Sequence, residues 1–89
     1  MPRVKDTIRL VVVTTADDVD DEFNRNQPLQ VLFTRALHEV GGEGNRDQFA
    51  LEYSDIELSD LSRKIGDVAE ELGWTDGTQL DLVPKPVVV

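Results

Sequence analysis

The sequence predicts an α+β domain in which a mixed β-sheet carries one main helix on one of its faces. Three observations predict it. Segments near the start, from Thr7 to Thr14, and near the end, from Leu80 to Val83, have the period-two spacing of strands. The segment from Pro28 to Val40 has a single apolar stripe at helical spacing. That helix lies in sequence between a first pair of strands and a later set, so it can cover only one face of their sheet and leaves the other to water. With 89 residues the chain has one core to fill, because a chain this short buries only about 60–65% of its unfolded surface.

The elements follow in order. Ile8, Leu10 and Val12 share one parity and Arg9, Val11 and Val13 the other, so the first strand is β-branched, apolar on both faces and central in its sheet. Thr15 to Asp18 is a turn. Val19 to Arg25 reads as a second strand with Phe23 inward, and its charge density suits an edge, where it discourages pairing with other chains. Pro28 opens the helix in the manner of a first-turn proline. On a helical wheel Leu29, Leu32, Phe33, Ala36, Leu37 and Val40 fall within an arc of about 140°. Gly41 and Gly42 end it.

After the polar loop GGEGNRD, Phe49 to Tyr53 alternates as a strand, and Ile56 and Leu58 suggest one more short strand. Ile65, Val68, Ala69 and Leu72 share a wheel face, but Gly66 disfavours helix by about 1 kcal/mol relative to alanine. The expectation is therefore a break at Gly66, with Asp67 capping a short helix, Glu70 completing a capping box and Gly73 stopping it. A Thr75–Thr78 turn precedes a last strand, and Pro84 and Pro86 keep the tail from extending the sheet. The whole chain, 1–89, reads as one domain with flexible tails at 1–6 and 84–89. Its expected core is Ile8, Leu10, Val12, Phe23, Leu29, Phe33, Leu37, Leu51, Ile65, Leu80 and Leu82.

Composition narrows the function. Eighteen acidic against nine basic residues give a formal net charge of -9, which repels phosphate backbones and anionic headgroups. Neither nucleic acid nor membrane is an expected partner, and a basic protein surface is. The absence of cysteine excludes a disulfide framework, a thiol nucleophile and thiolate metal ligation. The apolar run Leu10 to Val13 is too short for a signal-peptide core, and no stretch is long enough to span a bilayer. The expected location is cytoplasmic.

Catalytic and metal motifs are incomplete. In DDVDDE the carboxylates Asp18, Asp20 and Glu22 fit the first, third and fifth positions of a calcium loop, but Phe23 and Leu29 stand where the loop needs glycine and glutamate. A solvated edge strand is the expectation, with any cation site confined to Asp17 to Glu22. Gly41, Gly42 and Gly44 follow a helix and lack the Lys-Ser/Thr of a phosphate loop. His38, the sole histidine, lies opposite the apolar stripe with no catalytic partner at a fixed spacing. No enzymatic activity and no cofactor are expected.

The segments NQPLQVLFTRALHEVGGEG, FALEY and LSDLSRKIGDVAEELGWTDGTQLDLVPK resemble the small bacterial ubiquitin-like proteins, including those of multi-ubiquitin arrays. The resemblance implies a β-grasp fold and a role in binding other proteins. Conjugated members of that family end in two glycines, whereas here the last glycine is Gly77 and the sequence closes with PKPVVV, so noncovalent binding is the expectation. A covalent modifier whose mature tail is not in this sequence, and a small subunit of a bacterial secretion system or other assembly, are the alternatives.

In a β-grasp the first and last strands are neighbours. Parity then places Val11, Val13 and Val83 on the uncovered face, flanked by Glu52 and Asp81, as a partner-binding patch. Ubiquitin presents a recognition patch on this face, but Glu52 stands where ubiquitin is apolar. The expected partner is a protein that combines an apolar knob with a basic rim.

Overall fold

A computed structural model of the protein describes residues 6–85. Five strands form one sheet: β1 (Thr7–Val13), β2 (Val19–Asn24), β3 (Phe49–Tyr53), β4 (Ile56–Glu57) and β5 (Thr78–Pro84). The spatial order is β2-β1-β5-β3-β4. β1 is antiparallel to β2 and parallel to β5, and β5 and β4 both run antiparallel to β3, so the sheet is mixed. Helix α1 (Gln30–Val40) crosses one face, a short 3-10 helix follows over Glu43–Gln48, and α2 (Ile65–Leu72) closes one end.

The alternation read from the sequence holds in β1, where Ile8, Leu10 and Val12 are buried, Val11 and Val13 half-buried and Arg9 exposed. The inward set meets Leu32, Phe33, Ala36 and Leu37 of α1 in one core cluster that also takes in Val19, Phe23, Leu51, Leu80 and Leu82. Ile65, Val68 and Ala69 of α2 extend that cluster. Trp74 seals it, with Tyr53 edge-on at 5.3 Å. All eleven expected core residues lie in this cluster.

Four details differ from the sequence reading. Pro28 precedes α1 and bridges to Lys64, so the first helical amides of α1 are served by another segment: Leu29 N–H donates to the Arg63 carbonyl and Gln30 N–H to that of Leu61. α2 does not break at Gly66; it runs from Ile65 through Gly66, with Lys64 at its N-cap position and no side-chain cap. Asp67 is therefore a first-turn residue, favourable beside the helix N-terminus. The polar loop contains a 3-10 turn. Pro84 is the last residue of β5, paired with Phe49, one residue inside the expected tail; the expectations for 1–5 and 86–89 fall outside the described residues.

Gly66 is explained by packing. Its N–H donates to the Arg25 carbonyl at 2.8 Å, and Ile65 N–H donates to Gln27, so the start of α2 lies directly on the chain leaving β2. A Cβ at Gly66 would sit 3.0 Å from the Arg25 Cβ and 3.1 Å from its carbonyl oxygen. That oxygen is held by the same hydrogen bond and has little freedom to withdraw. Gly41 and Gly73 supply the left-handed caps of α1 and α2, at φ 65 and 72. Ser54 and Asp55, at φ 51 and 67, make the two-residue β3–β4 turn without glycine, at a cost of roughly 1–2 kcal/mol per residue.

The expected outcome for Gly66→Ala is a loss of about 1–3 kcal/mol, although alanine is intrinsically the better helix former by about 1 kcal/mol. Chemical denaturation of the variant checks this, and a gain in stability would show that the approach to Arg25 is not a constraint.

Candidate functional site

The site expected from the sequence lies on the sheet face opposite α1. Pairing registers place its residues. Val11 stands beside Gln79 of β5 and across from Asp20 of β2. Val13 stands beside Asp81, Asp81 opposite Glu52, and Glu52 opposite Glu57. Val83 pairs with Ala50. Val11, Val13 and Val83 are each half-buried, as is Glu52, while Asp81 is exposed.

The three valines do not form a closed triangle. Val11 and Val13 are successive outward residues of β1, and Val83 lies diagonally beyond Asp81, so Asp81 occupies the notch between Val13 and Val83. Ala50, beside Val83, is only 6% exposed yet is not part of the helix-facing core. Strand parity with inward Leu51 turns it to the uncovered face, where it adds an apolar floor at that corner. The apolar part of the face is thus an angled strip, Val11–Val13 on β1 and Val83–Ala50 across β5 and β3, with a line of acid running through it.

That line is the feature least visible in the sequence. Asp81, Glu52 and Glu57 sit in one lateral row over β5, β3 and β4, and among the described residues none has a cation within ion-pairing distance. Like charges directly opposite in a sheet repel. The one basic residue on the described strands is Arg9, and it is taken: its guanidinium donates to both Asp20 carboxylate oxygens, at 2.8 and 2.7 Å. Arg9 also fixes the β1–β5 end of the sheet, since its amide donates to the Asp76 carboxylate and its carbonyl accepts from Gly77.

The remaining candidates are structural. Asp17 and Asp18 belong to a turn organised by Thr14, whose hydroxyl donates to the Asp17 carbonyl and accepts from the Ala16 amide. Asp20 and Glu22 point to the uncovered face, and Asp21 pairs with Arg35 of α1. Among the described residues no three or more His, Asp or Glu side chains are grouped so as to hold a metal ion. His38 is exposed on α1, its Nδ1 3.1 Å from the Glu43 carboxylate.

Two carboxyls are held below the ordinary aspartate range: Asp20 by the hydrogen bonds and then the charge of Arg9, and Asp60 by hydrogen bonds from the Ser62 hydroxyl and amide. A depressed folded-state pKa contributes stability above the unfolded value, about 3.9 for aspartate, and that contribution is lost as pH falls through the folded value. The contribution of these two carboxylates to stability should therefore be lost as pH falls below about 4, with a shallower decline there in Asp20→Asn. Denaturant midpoints measured between neutrality and acid check the slope; because both groups are exposed, the effect is small.

No protein-family model matches this sequence, and no curated protein does. Solved structures do. A ubiquitin of Caldiarchaeum subterraneum superposes with TM-score 0.69 at 19% identity, over 93% of this chain and 99% of that one. The ubiquitin-like domain of an Arabidopsis thaliana protein gives 0.64 at 22%, over 91% and 80%. A structure described under molecular mimicry of SUMO in DNA repair gives 0.68 at 17%, over 91% and 95%. At these identities the likeness is one of architecture, and it agrees with the strand order and helix placement above: the chain has the ubiquitin-like β-grasp fold.

Proposed function

We propose that this chain is a non-enzymatic ubiquitin-like interaction module that binds partner proteins noncovalently through the uncovered face of its sheet. The observation that carries the proposal is the acidic row Asp81–Glu52–Glu57 lying beside Val13 and Val83 with no counter-charge among the described residues. A partner that sets an apolar side chain on the valines and a lysine or arginine over the row would relieve repulsion that the free domain bears. Charge complementarity of this kind speeds association and selects partners more than it deepens affinity. The row also sets the chain apart from a receptor surface that expects an apolar residue at the position of Glu52. The net charge of -9 disfavours nucleic acid and anionic membranes as alternatives. The resemblance to small bacterial ubiquitin-like proteins supports the same role in a cytoplasmic setting.

The test is capture from the native host with wild-type chain, followed by intact-mass measurement of the recovered chain. A retained protein with no mass increase on this chain is expected, and a covalent adduct would establish the modifier role instead. Val11→Asp and Val83→Asp should each weaken the captured partner by at least about tenfold, as loss of a central contact does. Their stability should change by no more than about 1 kcal/mol, the span of strand propensities. If both variants retain the partner at wild-type affinity, the sheet face is not the docking surface.

A further inference from the structure

A second surface lies at the other side of the β3–β4 hairpin; it uses none of the valines and shares only Glu57, at the hairpin edge, with the acidic row. Ile56 is the one large apolar residue exposed among the described residues, at 55%. Parity puts it on the helix side of the sheet, across from Tyr53, but at the outer strand. It stands instead at the mouth of a cleft of about 220 Å³ between β4 and α2. Leu29 and Val68, each 1% exposed, and the half-buried Leu58 and Leu72 line that cleft. The hairpin turn that presents Ile56 is a two-residue turn of left-handed residues, Ser54 and Asp55, which holds the strand end and its apolar side chain at the edge of the sheet.

The rim is acidic. Glu57, Asp60 and Glu71 surround the cleft against the single cation Arg63, and Arg63 is already engaged by Glu71 at 2.5 Å. We infer that this cleft is a docking site for a short basic segment of a partner protein, which inserts one aliphatic or aromatic side chain beside Ile56 and sets lysine or arginine residues against Glu57 and Asp60. Charge complementarity selects this occupant over a second copy of the chain, since pairing two copies here would bring like rims together on molecules of formal net charge -9.

The probe is a phage-displayed library of random dodecapeptides, selected on the wild-type chain and depleted on Ile56→Glu, a change at an exposed edge position whose folding is verified by circular dichroism. Recovered peptides should carry an apolar residue flanked by Lys or Arg. A synthetic consensus peptide titrated into isotope-labelled chain should shift the amides of Ile56, Leu58, Arg63 and Leu72. Its affinity should fall roughly tenfold or more in Ile56→Glu, as expected for losing one buried aliphatic contact. It should fall severalfold in Glu71→Gln, which frees Arg63, and stay unchanged in Val11→Asp, a result that separates this site from the sheet face. Failure to recover peptides, peptides without excess positive charge, shifts confined to the sheet face, or sedimentation showing Ile56-dependent self-association would each overturn the inference.

Discussion

The parallel pairing of β1 with β5 is the constraint on which the remaining architecture depends. It joins Leu10 to Thr78 and Val12 to Leu80, residues far apart in the chain, at the centre of the sheet. Every other element is arranged around that pair: β2 folds back on the outer side of β1, β3 and β4 extend the sheet beyond β5, and α1 must pass over one face to connect the two halves. Closing so long a loop costs chain entropy. It is compensated where the inward residues Leu10, Val12, Leu80 and Leu82 meet α1 in a common core. The Arg9 contacts to Asp76 and Gly77 lock the register. A slip of one residue would turn the valines into the core and the leucines into water.

A second junction is made by backbone alone. The chain leaving β2 and the chain entering α2 run alongside each other, with Leu29 and Gln30 amides bonded to 61–63 and Ile65 and Gly66 amides bonded to 25–27. These bonds serve amides at the starts of both helices, which explains why neither α1 nor α2 has a side-chain cap. The close approach is possible because position 66 has no side chain.

One-sided coverage divides the molecule's chemistry. The covered face is apolar, and no polar or charged residue is buried among the described residues. Charge is therefore displaced to the other face, the edges and the outer sides of the helices, in a chain with eighteen acidic and nine basic residues in all. Arg9 satisfies Asp20, Arg35 satisfies Asp21 and Arg63 satisfies Glu71, which leaves the Asp81–Glu52–Glu57 row without a cation among the described residues. A domain that tolerates such a row gives up a little stability, because like charges opposite one another in a sheet repel.

The sequence by itself determined the period and side of each element. Ile8, Leu10 and Val12 against Arg9, Val11 and Val13 follow from strand alternation, and the α1 stripe from helical spacing, because both are local consequences of backbone geometry. The same rules located the glycine stops at Gly41 and Gly73 and the outward set Val11, Val13, Glu52, Asp81 and Val83. Only the tertiary structure decided what depends on chain segments meeting across the fold. Gly66 looked like a helix breaker because local propensity counts against it, whereas its reason is the Arg25 backbone lying against it. Pro28 looked like a first helical residue, but its place is set by Lys64 across the junction. The acidic row, the placing of Asp81 between Val13 and Val83, and the exposure of Ile56 above a leucine-lined cleft all arise from strand register and edge position, and these are properties of partners that no local segment encodes.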